Sequence, residues 1–85
     1  MKILIVDDEP LARERLQRLV NELDVGEVVA EAANGQQAIE LCEQYPVDVV
    51  LLDIRMPVLD GIETAQLLAQ QPPAPAIIFT TAYDE

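Results

Sequence analysis

Apolar residues along this chain follow two alternating rhythms. Ile3-Leu4-Ile5-Val6 and Val49-Val50-Leu51-Leu52 are short, nearly continuous apolar runs, the pattern of strands buried on both faces of a covered sheet. Between them the apolar period lengthens. Ala12, Leu16, Leu19, Val20 and Leu23 recur at i, i+4, i+7, i+8 and i+11, which predicts an amphipathic helix opened by Glu9-Pro10, with proline in its favoured first turn, and broken by Asp24-Val25-Gly26. Glu27 to Ala32 is a less apolar run and predicts a second strand at a sheet edge. Asn34-Gly35 predicts the cap and start of a second helix, with Ala38, Ile39, Leu41, Cys42 and Tyr45 inward and Pro46 as its stop. The third strand is predicted over Val47–Leu52. A loop from Met56 to Gly61 then leads into a third helix with Ile62, Ala65, Leu68 and Ala69 inward. Gln70-Gln71-Pro72-Pro73-Ala74-Pro75 cannot be helical and reads as the linker to the fourth strand, Ala76–Thr80. Strands alternating with helices, joined by right-handed crossovers, predict one α/β domain over residues 1–85 with a doubly wound parallel sheet.

Composition narrows the class. Hydrophobic residues are 51% of the 85, so this is a folding chain and not an acidic tail, near the lower end of what holds an independent core. A net charge of −11, from sixteen acids against five bases, argues against direct contact with a nucleic-acid backbone. Any DNA work is expected of something attached to it. The single Cys42 forms no internal disulfide and is read as a small buried apolar residue; histidine is absent, so a Cys/His zinc cluster is excluded. Met1-Lys2 leads into only four apolar residues before three acids, which does not make a signal peptide, and no run approaches the ~20 residues of a membrane helix. The expected location is cytoplasmic.

The acids are not evenly spread. Asp7-Asp8-Glu9 follows the first strand directly, and Asp53 follows the third. Parallel strands deliver their C-terminal ends to one edge, which is where ligands sit in open α/β sheets. Three carboxylates crowded there repel one another, and a hard divalent cation with a preference for oxygen, such as Mg²⁺, relieves that repulsion. Glu22, Glu40 and Glu43 read instead as a solvated surface.

Val6-Asp7-Asp8-Glu9-Pro10, Leu51-Leu52-Asp53-Ile54-Arg55-Met56-Pro57, Asp60-Gly61 and Thr80-Thr81-Ala82 resemble, in order and spacing, the signature blocks of bacterial response-regulator receiver domains. The match runs the whole length of the chain. The segments from Asp8 to Leu16 and from Phe79 to Glu85 are most similar to receivers attached to LytTR-type DNA-binding domains, the group that includes the regulator of alginate synthesis. The resemblance implies a flavodoxin-like fold with strand order 2-1-3-4. It implies that Asp53 is the phosphoacceptor, taking a phosphoryl group from a histidine kinase or a small phosphodonor. Asp8 and Asp53 would ligate Mg²⁺ directly, Asp7 through a water, and Arg55 through its backbone carbonyl. Thr81 would hydrogen-bond a phosphoryl oxygen and report the modification to the surface.

Each residue has a plainer role beside this one. Asp7 or Asp8 could complement the N-terminal charge of the first helix, and Asp60 is read as the cap of the third. Without the resemblance, Thr81 reads equally as a strand-end hydroxyl satisfying its own backbone. Met56-Pro57 reads as turn chemistry. Arg13, Arg15 and Arg18 read as a solvated helix face, with Glu14 and Glu22 each four residues from Arg18. Receivers of this type continue beyond the Thr-Ala block with a helix, a fifth strand carrying a lysine, and a last helix. The only lysine here is Lys2, so the expectation is an N-terminal portion of a receiver, truncated after the fourth strand, with phosphotransfer in doubt and homo-oligomerisation through the exposed fourth strand. A metal-dependent phosphohydrolase with an aspartyl-phosphate intermediate is the competing class, but such enzymes carry a second acid two residues after the nucleophile, where Arg55 stands. A self-assembling fragment that does not signal is a third.

Overall fold

Seven elements alternate along the chain: β1 (Lys2–Val6), α1 (Pro10–Leu23), β2 (Glu27–Ala32), α2 (Gly35–Gln44), β3 (Val49–Asp53), α3 (Gly61–Leu68) and β4 (Ala76–Thr80). This computed structural model describes residues 1–56 and 59–80. The four strands are parallel in the order β2-β1-β3-β4, so the α/β flavodoxin-like arrangement expected from the sequence is the one observed. β1 and β3 lie in the middle, where both faces are covered, whereas the equally apolar β4 is an edge strand with Ile78 and Phe79 exposed.

Successive side chains of a strand point to opposite faces, and the core divides accordingly. Leu4, Val6, Val50 and Leu52 pack on one face with Ala38 of α2 and Leu68 of α3. Ile3, Ile5 and Val49 pack on the other with Val20 of α1, supported by Leu16, Val28 and Leu51. Right-handed crossovers dictate this split, with α1 on one side of the sheet and α2 and α3 on the other.

Several sequence expectations shift by a residue or a face. The α1 stripe is only partly buried: Val20 is enclosed, whereas Leu19 and Leu23 are 48% and 60% exposed. Among the described residues no second helix flanks α1, and an open apolar groove of about 410 Å³ runs between it and the strands, lined in part by Leu19, Leu23 and Ile78. In α3 Leu68 is buried and Ala65 packs against the core as predicted, with Gly61 and Thr64 buried beside them, whereas Ile62 and Ala69 are exposed. Tyr45 is exposed because it is the extended C-cap of α2 (φ −126°) and no longer follows the helical face. α1 is ended by Asp24 itself in the left-handed conformation (φ 53°). Gly26 serves a close approach, since a Cβ there would meet the Met1 carbonyl oxygen at 2.6 Å. β3 begins two residues later than predicted, with the Asp48 N–H donating to the Lys2 carbonyl at 2.8 Å, and runs one residue further, to Asp53.

Candidate metal and phosphoryl site

Parallel pairing sets Val6 beside Leu52, so Asp7 and Asp8, just past β1, and Asp53, the last residue of β3, stand at the same edge. One carboxylate oxygen from each of Asp7, Asp8 and Asp53 lies within 4.8 Å of the others. Asp7 is 8% exposed, Asp53 is half-buried and Asp8 is exposed. The donor set consists of hard anionic oxygens, which suits Mg²⁺ and not a soft metal.

The backbone around these acids is tied down. The Asp7 N–H donates to the Ala32 carbonyl at 3.1 Å, and Asp7 Oδ1 accepts from the Glu9 N–H at 2.9 Å. Burial pushes the Asp7 carboxyl above its ordinary pKa; the Glu9 hydrogen bond opposes this, and the charges of Asp53 and Asp8 add to it. Arg55 follows β3 and donates its N–H to Asp53 Oδ1 at 3.3 Å, which ties the turn to the carboxylate. Asp60 caps α3, as the sequence predicts, with Oδ1 accepting from the Glu63 N–H at 2.8 Å. Thr81 lies outside the described residues. Its neighbour Thr80 pairs with Asp53 in the sheet register, and the buried Thr80 hydroxyl has no hydrogen-bond partner among the described residues.

Two residues that shape this edge have partners the sequence does not show. Gly61 starts α3 against the end of β3: its N–H donates to the Ile54 carbonyl at 2.9 Å, and an added Cβ would strike the Asp53 carbonyl oxygen and approach Ile54 Cα to 2.6 Å. Arg13 departs from the solvated face assigned to it. Its Nη1 donates to the Asp7 carbonyl at 2.7 Å and its Nε lies 3.3 Å from Glu31 Oε1. Only Arg18, which reaches Glu14 at 3.3 Å, behaves as the surface pair the spacing predicts. A basic residue at this position is visible in the sequence, but its partners on β1 and β2 are not.

A doubly wound parallel sheet with three acids at its C-terminal edge defines an α/β domain with a candidate divalent-cation site. Residues 3–85 match the response regulator receiver domain family, and the chain belongs to it. It is 55% identical over its whole length to the positive alginate biosynthesis regulatory protein of Pseudomonas aeruginosa, of which it spans 35%. To the transcriptional regulatory protein BtsR of Salmonella typhi it is 46% identical over its whole length, again spanning 35% of that protein. The chain thus covers about a third of the curated relatives it matches. The response regulatory domain of protein mrkE from Klebsiella pneumoniae superposes with a TM-score of 0.88 at 38% identity, covering all of this chain and 70% of that one. Among the described residues no helix is long and apolar enough to cross a membrane.

Proposed function

We propose that this chain is the phosphoacceptor part of a two-component transcription regulator, that Asp53 takes the phosphoryl group, and that the domain is a cytoplasmic switch and not an enzyme acting on a separate substrate. The observation that carries this reading is the convergence of Asp7, Asp8 and Asp53 within 4.8 Å at the strand ends. A carboxylate oxygen of Asp53 attacks the phosphorus of a phosphorylated histidine of a sensor kinase, or of a small acyl phosphate, and the bond to the donor breaks as the new P–O bond forms. Asp8 and Asp53 would ligate Mg²⁺ directly, Asp7 through a water and Arg55 through its carbonyl. Bound there, Mg²⁺ neutralises charge on the transferring group and on the carboxylates.

The hydrogen bonds to Asp7 and the Asp53–Arg55 turn hold the acids in place without solvent reorganisation. Thr81, which follows Thr80 in the sequence, is assigned the phosphoryl contact that relays the change. The similarity to transcriptional regulators supports an attached DNA-binding domain as the output, of the LytTR type, with DNA reached only through it. The exposed Ile78 and Phe79 on β4 support self-association as a second property.

Incubation with acetyl phosphate and Mg²⁺, borohydride trapping and peptide mass analysis test the assignment. The label is expected at Asp53 and is expected to vanish in Asp53→Asn. A label at Asp7 or Asp60 overturns it, whereas no label at all points to the lysine that this portion does not carry.

A further inference from the structure

Arg13 connects the acidic edge to the sheet through both of its contacts. Its side chain, 19% exposed, stands in the first turn of α1. The 2.7 Å hydrogen bond from Nη1 to the Asp7 carbonyl is short and charge-assisted, hence stronger than a neutral one. On the other side Nε meets Glu31 of β2 at 3.3 Å, which fixes the guanidinium to the edge strand.

The carbonyl that Arg13 holds is half of the planar peptide unit that continues into Asp8. Pinning that oxygen fixes the direction in which the chain enters Asp8. Asp7 has further restraints, from Ala32 and from Glu9. Asp8 is exposed, and among the described residues its carboxylate makes no hydrogen bond; its position is set by the backbone that bears it.

We infer that Arg13 is a positioning residue for Mg²⁺ capture: it clamps the Asp7–Asp8 peptide so that the Asp8 carboxylate stands near those of Asp7 and Asp53, with Glu31 anchoring the clamp. The inference rests on the Mg²⁺ reading above. Charge and position act in opposite senses here. A fixed cation near the site repels Mg²⁺, so loss of charge alone tightens binding. Loss of the clamp loosens it, and partners that orient metal ligands are worth roughly 10- to 100-fold in affinity. The sign of the change therefore separates the two effects.

The test is calorimetric titration of the 85-residue chain with Mg²⁺ alone, in the wild type, Arg13→Met, Arg13→Lys, Glu31→Gln and Asp8→Ala. Arg13→Met is expected to weaken Mg²⁺ binding roughly tenfold, Arg13→Lys to recover most of that because it keeps a donor for the Asp7 carbonyl, and Glu31→Gln to show a smaller loss. Arg13→Met binding as tightly as the wild type, or more tightly, overturns the inference. If circular dichroism shows Arg13→Met unfolded, Glu31→Gln carries the test, and a folded Glu31→Gln with wild-type affinity is the overturning result. A wild type that does not bind Mg²⁺, or an Asp8→Ala variant that binds it equally, overturns the metal reading itself and this inference with it. Loss of binding in Asp8→Ala beside unchanged binding in Arg13→Met sinks the Arg13 inference alone.

Discussion

Burial holds the Asp7 carboxyl above its ordinary pKa of 3.8, with the Glu9 N–H pulling it down, Asp53 and Asp8 pushing it up and Arg13 pulling it down again. A raised pKa means that the folded chain binds this proton more tightly than the unfolded one. Asp7's contribution to stability is therefore full below the ordinary value and is lost as pH rises through the raised one. In EDTA, denaturant titrations are expected to show this decline in the wild type and to show it reduced in Asp7→Asn, whose Oδ1 can still accept from Glu9. Parallel pH dependences in the two proteins argue against it. Mg²⁺ requires the ionised carboxylates, so its affinity is expected to rise with pH through the same window. Asp8→Ala removes a charge and the proposed ligand, and is expected to weaken Mg²⁺ by more than about tenfold, at least what loss of an orienting partner costs. Equal affinity by calorimetry refutes Asp8 as a ligand.

At the level of elements, the start of α3 is fitted closely against the end of β3. Asp60 caps the helix through the Glu63 N–H, and Gly61 lets the helix start against the Asp53 and Ile54 backbone. Asp60→Ala removes one cap and is expected to cost about 1 kcal/mol. Gly61→Ala forces atoms into occupied space and is expected to cost about 1–3 kcal/mol. The second also displaces the strand end that carries Asp53, so it is expected to lower Mg²⁺ affinity where Asp60→Ala does not. Urea denaturation paired with Mg²⁺ titration checks both, and a neutral Gly61→Ala would show that the approach relaxes without cost.

For the molecule as a whole, the uneven covering of the two sheet faces has the widest consequence. The α2 and α3 face is closed over Leu4, Val6, Val50 and Leu52, whereas the α1 face keeps an apolar groove of about 410 Å³ with Leu19, Leu23 and Ile78 exposed. Each Å² of apolar surface left in water forgoes roughly 25 cal/mol. Among the described residues nothing pairs with the outer edge of β4, and an open edge is a template for another strand. Self-association of this chain at micromolar concentration is the expected outcome by sedimentation equilibrium, and a folded monomer across that range overturns it.

The sequence by itself determined the order of the elements, the parallel sheet, and the edge where Asp7, Asp8 and Asp53 meet. Those features depend on local periodicity and on connection handedness, which neighbouring residues express directly. The caps at Asn34 and Asp60 were legible for the same reason, since each binds a backbone N–H three residues on. Only the tertiary structure decided which apolar helix positions are covered, because Leu19, Leu23 and Ile62 have the same hydrophobicity whether or not a neighbour lies over them. It also decided the roles of Gly61 and Arg13. Their partners are backbone atoms and a carboxylate brought near by the fold, and a backbone carbonyl leaves no mark in the sequence.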